Sequence, residues 1–234
     1  MLEIIPAIIP KNFQDLEEKM SNVRKLVPLV QVDVLDGSLV PARAWPYQLP
    51  SKRDVFFDSI IREEQGFPFW QDLEFEAHLM VRSPEHIIAD WIAAGASRII
   101  VEIEGTASFD ECVKAVAGRV PLGVSITLDT PIDSLAPIAD DVSVIQSMGW
   151  NFSNLGLQGR SLDERTIERV RQLRQKYPEH IISVDGGVNL GNAPALVRAG
   201  AGRLVIGSGL WQGGAPRENL AKFKKLNGSP RSKN

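Results

Sequence analysis

Four polar side chains in this chain stand where they could meet and do chemistry. The apolar run Gln31-Val32-Asp33-Val34-Leu35 places Gln31, Asp33 and Leu35 on one face if it is a strand, because side chains alternate along an extended chain. A second run puts Glu76 and His78 on one face, with Met80 after them. A third, Ile182-Ser183-Val184, ends in Asp185. Two carboxylates, an imidazole and an amide could thus converge from three strands. Facing carboxylates have two physical uses. One removes a proton from one face of a carbon while the other delivers a proton to the opposite face. Alternatively, the pair holds a divalent cation with oxygen and imidazole ligands. Such a cation relieves the repulsion between the carboxylates and stabilises an enediolate formed beside a carbonyl.

A second constellation lies close by. Val184-Asp185-Gly186-Gly187-Val188-Asn189 and Leu204-Val205-Ile206-Gly207-Ser208-Gly209 are β-branched runs that stop at small residues and lead into helical patterns. Glycine lets a ligand approach the backbone closely, and a helix start contributes positive dipole, so Gly186, Gly187, Gly207 and Ser208 suit a phosphate. A phosphate site beside a carboxylate pair describes epimerisation or isomerisation of a ketose phosphate.

Single residues carry less than the set. A lone aspartate at a strand end is usually a cap or a turn residue, so Asp33 and Asp185 gain meaning only together. His86 falls in a helical pattern and His180 leads into a strand at its wrong end, so both read as structural. Asp36 is expected to shape a turn with Gly37, and Met80 and Met148 are most simply core fillers.

The elements that must position these groups alternate along the whole chain. Strands are expected at Glu3–Ile9, Leu29–Leu35, Glu74–Val81, Arg98–Ile103, Leu122–Thr127 and Asp141–Met148, followed by the two glycine-ended runs. Helical patterns cover Asn12–Leu26, Pro84–Ala94 closed by Gly95, Ser108–Ala117, a short stretch from Pro131, Asp163–Tyr177, Asn192–Ala199 and Pro216–Leu226. Eight βα units predict an α/β fold, most economically a (β/α)8 TIM barrel, with its phosphate site after strands seven and eight. An open doubly wound sheet is the runner-up, but the first strand is followed by no G-x-G-x-x-G and reads Pro6-Ala7-Ile8-Ile9-Pro10.

The bounds agree with one soluble domain. The chain has 234 residues, 44% hydrophobic and 24% charged, with a net charge of −3. No basic patch points to nucleic acid, and no apolar run approaches a membrane span. The basic stretch Lys222–Asn234 reads as a helix end plus a frayed tail over about 228–234. The single Cys112 falls on an apolar helical position and suits a reducing, cytoplasmic location; the N-terminus lacks a signal-peptide pattern. One segment, about 38–72, is long and aromatic, with Trp45, Tyr47, Phe56, Phe57, Phe67, Phe69 and Trp70. It could fold over a mouth of the barrel, meet a second subunit or pack locally. With the five tryptophans of the chain, it hints at a homo-oligomer.

Pro6-Ala7-Ile8, Val32-Asp33-Val34-Leu35-Asp36-Gly37, Ala77-His78-Leu79-Met80-Val81, Val184-Asp185-Gly186-Gly187-Val188-Asn189 and Ile206-Gly207-Ser208-Gly209 together resemble the ribulose-phosphate 3-epimerase family, in order and over nearly the whole chain. The resemblance implies a barrel of the ribulose-phosphate-binding type that interconverts ribulose 5-phosphate and xylulose 5-phosphate. It implies that Asp33 and Asp185 are the acid/base pair and, with His78 and the position of Gln31, hold a divalent metal such as Zn, Fe, Mn or Co. Gly186, Gly187, Gly207 and Ser208 would hold the phosphate, and Met80, Gln146, Gly156 and Gln158 would face the sugar.

The chain departs from the family pattern at several positions. Gln31 stands for a histidine, Ala7 for a serine and Gln146 for a methionine. Gly149-Trp150-Asn151-Phe152-Ser153-Asn154-Leu155-Gly156-Leu157-Gln158-Gly159 replaces a shorter glycine-rich loop. A non-catalytic or differently specific phosphosugar-binding barrel is therefore the alternative. A decarboxylase or aldolase on the same barrel would want a lysine in an Asp-x-Lys pattern, where this chain has Leu35.

Overall fold

The computed structural model describes residues 2–49 and 52–228. Eight parallel strands close into a barrel in sequence order: β1 (Glu3–Ile8), β2 (Leu29–Val34), β3 (Glu74–Leu79), β4 (Arg98–Glu102), β5 (Leu122–Ile126), β6 (Val144–Met148), β7 (Ile181–Asp185) and β8 (Arg203–Ile206). Closure is through β1 and β8, with Pro6 beside Ile206. The register sets Asp33 beside His78, Ala7 beside Gln31 and Met148 beside Asp185. The expected (β/α)8 barrel is the fold observed.

The strands are buried on both faces, but the faces differ. One set of residues, including Val30, Val32, Val34, Phe75, Ala77 and Leu79, joins the large apolar core under the helices. The alternate set faces the barrel interior and is mostly polar: Gln31, Glu76, His78, Glu102, Ser125, Gln146, Ser183 and Arg203 are all fully buried. At the strand starts, Arg203 donates to Glu76 at 2.5 Å and Arg98 to Glu76 at 2.8 Å, so the buried carboxylate is matched by two guanidiniums.

The helices are α1 (Phe13–Val23), α2 (Val55–Ile61), α3 (Ile88–Ala93), α4 (Phe109–Val116), α5 (Arg165–Lys176), α6 (Ala193–Ala199), α7 (Ser208–Trp211) and α8 (Pro216–Lys224). Asn12 caps α1 by accepting from the Asp15 N–H at 2.8 Å. The expected helix Pro84–Ala94 begins instead as a 3-10 turn over Pro84–His86, after Ser83 in the left-handed region at φ 50°. After β5 the chain forms only 3-10 turns, Ile132–Leu135 and Ala139–Asp141, and the second of these delays β6 to Val144.

Segment 38–72 contains α2, which the sequence reading did not anticipate. Asp54 caps it by accepting from Phe56 N–H at 2.9 Å. Much of the aromatic content packs inward. Trp45 meets Phe57 at 5.4 Å between ring centroids, Phe57 meets Trp91 at 4.6 Å and Phe67 stacks on Phe75 at 3.8 Å. Val55, Phe56 and Trp70 remain exposed. Of the expected tail, 228–234, all but Gly228 lies outside the described residues. Among the described residues no helix is long and apolar enough to cross a membrane.

Candidate active site

The inward face of β2 carries Gln31 and Asp33, that of β3 carries His78, that of β6 Gln146 and that of β7 Asp185. Gln31 Nε2 donates to Asp33 Oδ1 and to Asp185 Oδ2, each at 2.7 Å. His78 Nδ1 lies 3.4 Å from Asp33 Oδ1 and 3.6 Å from Asp185 Oδ2. Gln146 Nε2 reaches Asp185 Oδ2 at 3.2 Å, while its Oε1 accepts from Ser183 Oγ at 3.1 Å. The other imidazole nitrogen, Nε2 of His78, is 2.9 Å from Glu102 Oε2. The imidazole thus bridges Glu102 on one side and the two aspartates on the other, with Nδ1 the nitrogen that would face a cation once its proton is displaced.

Burial decides the electrostatics. It pushes Asp33 from the ordinary 3.8 up to about 6, reinforced by the neighbouring Asp185 and opposed by bonds from His78 and Gln31. Burial likewise lifts Glu102 from 4.5 to about 7, with His78 opposing it. For His78 burial alone would lower the value, but hydrogen bonds to Asp185, Asp33 and Glu102 outweigh it and hold the imidazole well above its usual range. A cluster of carboxylates around one imidazole thus retains protons that a cation could replace.

The donor set fits a divalent cation. One oxygen each from Asp33 and Asp185 and a nitrogen of His78 lie within 4.8 Å of one another. Two carboxylates plus an imidazole suit Zn, Fe, Mn or Co. Gln31 Oε1 is buried with no hydrogen-bond partner. A half-turn of that amide would exchange its nitrogen for this oxygen at the same point and supply a fourth ligand.

Above the carboxylates a cavity of about 640 Å³, counted to its open mouth, is lined by Asp33, Asp185, Met80, Met148, Gly156, Gln158, Gly186, Gly187, Gly207 and Ser208 among others. Gly186 and Gly187 have φ of 104° and 69°, and a Cβ on Gly187 would sit 2.2 Å from the Leu162 nitrogen. Only glycine fits that turn. A Cβ on Gly207 would meet nothing nearer than Ala7 Cβ at 4.0 Å, so the space beside this backbone is open to a ligand. Met80, Met148 and Trp150 line the cavity and belong to a separate apolar cluster with Leu35, Leu39, Val40, Ala44 and Leu155.

The structure brings together Asp33, His78, Asp185 and Gln31 in one network. It places Met80, Gly156, Gln158, Gly186, Gly187, Gly207 and Ser208 around one cavity. Gln146 is fully buried, is not among the residues lining the cavity, and bonds Asp185 and Ser183. His86 and His180 lie outside the network; His180 Nε2 contacts Ala139 O at 2.9 Å. Asp36 accepts from Ser38 N–H at 2.8 Å beside Gly37 at φ 82°, the turn role expected of it. Among the described residues, none of segment 38–72 lines the cavity.

Sequence reasoning missed Glu102 and Lys19. Strand alternation applied to Arg98–Ile103 would have turned Glu102 inward and exposed it as a candidate. Lys19 lies on a helix, and its position at the cavity left no signal in the pattern.

A closed parallel barrel with these groups at the C-terminal ends of its strands defines the class of (β/α)8 TIM barrels. Solved structures agree on the fold. 3-Keto-L-gulonate-6-phosphate decarboxylase from Vibrio cholerae is 14% identical at a TM-score of 0.69, covering 96% of each chain. 3-Hexulose-6-phosphate synthase from Salmonella typhimurium is 13% identical at a TM-score of 0.68, covering 96% of this chain and 98% of that one. Within the class, this chain belongs to the ribulose-phosphate 3-epimerase family, whose sequence profile matches residues 3–211. It is 27% identical to the ribulose-phosphate 3-epimerase of Schizosaccharomyces pombe over 95% of this chain and 92% of the relative. It is 26% identical to that of Bacillus subtilis over 90% and 93%.

Proposed function

We propose that this protein is a cytoplasmic enzyme that interconverts D-ribulose 5-phosphate and D-xylulose 5-phosphate by proton transfer at C3. The observation that carries this reading is the pairing of Asp33 and Asp185: both line the cavity, and both reach the same Gln31 nitrogen from different strands. One carboxylate removes the C3 proton and the C3–H electron pair moves into a C2–C3 enediolate. The other, protonated, delivers its proton to the opposite face and restores the C2 carbonyl. The pair is left with its protons exchanged, and reversal completes the cycle.

Asp33, His78 and Asp185, with Gln31 after its amide turns, would hold a divalent cation, which supplies Lewis acidity that stabilises the enediolate charge. Glu102 holds the His78 ring in place. Gly186, Gly187, Gly207 and Ser208 hold the phosphate through backbone N–H groups, and Met80, Met148 and Trp150 keep water from the reacting carbons. The barrel's Leu35, where a decarboxylating relative would need a lysine, speaks against that chemistry.

The test is a coupled assay of xylulose 5-phosphate formation from ribulose 5-phosphate, with and without added Zn, Fe, Mn or Co. Metal-stimulated turnover supports the reading. Tight binding of ribulose 5-phosphate without turnover would favour the second reading, a phosphosugar-binding barrel of other specificity, to which the Gln31 bridge between both carboxylates lends support.

A further inference from the structure

Among the described residues, Lys19 is the only cation that lines the cavity. Its Nζ donates to the carbonyl of Ile9 at 3.1 Å and to Asp15 Oδ2 at 2.8 Å, and its side chain is 22% exposed. An ammonium has three donors, so one remains for a ligand. The tether sets its place. Ile9 directly follows β1, which pairs with β8 through Pro6 and Ile206. Ala7 Cβ is the nearest atom to a Cβ built on Gly207, and Trp211 Nε1 on α7 donates to Ala7 O at 2.7 Å. The ammonium is therefore anchored on the strand that neighbours the Gly207-Ser208 turn, where the rest of the lining offers only neutral donors.

A sugar phosphate brings close to two negative charges at neutral pH into a cavity floored by Asp33 and Asp185. Backbone N–H groups orient such an ion, and an ammonium adds a charge-assisted bond that they cannot. We propose that Lys19, held ready by Asp15, is the charge partner of the substrate phosphate and sets the preference for phosphorylated over free ketoses. This rests on the phosphate assignment made under the proposed function.

The experiment is calorimetric titration of the full chain with inorganic phosphate, comparing wild type with Lys19→Met, Lys19→Gln and Lys19→Arg, each checked for an unchanged melting profile. Charge-assisted bonds predict at least about a ten-fold weaker phosphate affinity for the two neutral variants and near-wild-type affinity for the arginine. In turnover, KM for ribulose 5-phosphate should rise by a similar factor with kcat nearly kept. Wild-type binding of phosphate with equal affinity in the neutral variants would overturn the role of Lys19 and leave the phosphate site standing. Failure of wild type to bind phosphate at all would overturn both.

Discussion

The side-chain nitrogen of Gln31 donates to Oδ2 of Asp185 at 2.7 Å, linking β2 to β7 across the interior of the barrel. The same nitrogen reaches Asp33, so one neutral amide stands between two buried carboxylates where a cation would otherwise separate them. A histidine there would offer a stronger ligand to a borderline metal than an amide oxygen does. Gln31→His is therefore expected to bind Zn at least about ten-fold more tightly, equivalent to about 1.4 kcal/mol, in competition with a chromophoric chelator. Equal or weaker Zn affinity would show that position 31 does not face the metal.

Asp33→Asn and Asp185→Asn should each lower turnover about a thousandfold, the scale of general acid/base catalysis. The amide is nearly isosteric, so circular dichroism and melting should stay close to wild type. A folded double variant that still turns over would remove both residues from the chemistry.

Glu102 is expected to act through His78, whose Nε2 it contacts at 2.9 Å. Glu102→Gln keeps the shape but loses the charge that orients the ring and raises its basicity. Metal affinity should fall about 10- to 100-fold, measured directly by titration of the metal-free protein. An unchanged affinity would mean that barrel packing alone orients the imidazole.

The buried acids give the metal-free protein a defined pH dependence. Asp33 releases its proton near 6 when folded, against 3.8 ordinarily, because burial penalises the charged form. Between those values the folded chain holds a proton that the unfolded chain has lost, so stability falls as pH rises. Glu102, pushed by burial from 4.5 to about 7, extends the fall. His78 has the same sign: its contribution is present below 6.5 and is lost as pH climbs through its raised value. Carboxylates with lowered values, such as Glu104, act below 4.5 and do not interfere above pH 5. Chelator-treated protein should melt at steadily lower temperature from pH 5 to 8, and added divalent metal should restore most at the upper end. A melting temperature that rises over this window would contradict the burial account.

Much of this site was legible because barrel strands alternate strictly. Placing Asp33 inward also placed Gln31, and placing His78 inward also placed Glu76. The glycine turns were legible because positive φ and close backbone approach leave glycine few substitutes, as at Gly187. Alternation says which face a residue takes, but not how exposed it is there: Gln146 turns inward yet is fully buried and is not among the residues lining the cavity. The α2 helix was hidden because Val55-Phe56-Phe57-Asp58 lies among prolines and aromatics whose pattern has no clean period, and tertiary contacts of Phe57 with Trp45 and Trp91 decide its position. Lys19 was invisible for a similar reason: a lysine on an amphipathic helix reads as solvated until the fold shows what its carbon stem crosses.

The most direct test of the central claim is to follow ribulose 5-phosphate in D2O by proton NMR with the metal-loaded protein. Proton transfer at C3 between Asp33 and Asp185 should yield xylulose 5-phosphate carrying deuterium at C3, and Asp185→Asn should abolish its formation. A folded, metal-loaded protein that forms no xylulose 5-phosphate, or forms it with the original hydrogen fully retained at C3, would contradict the account.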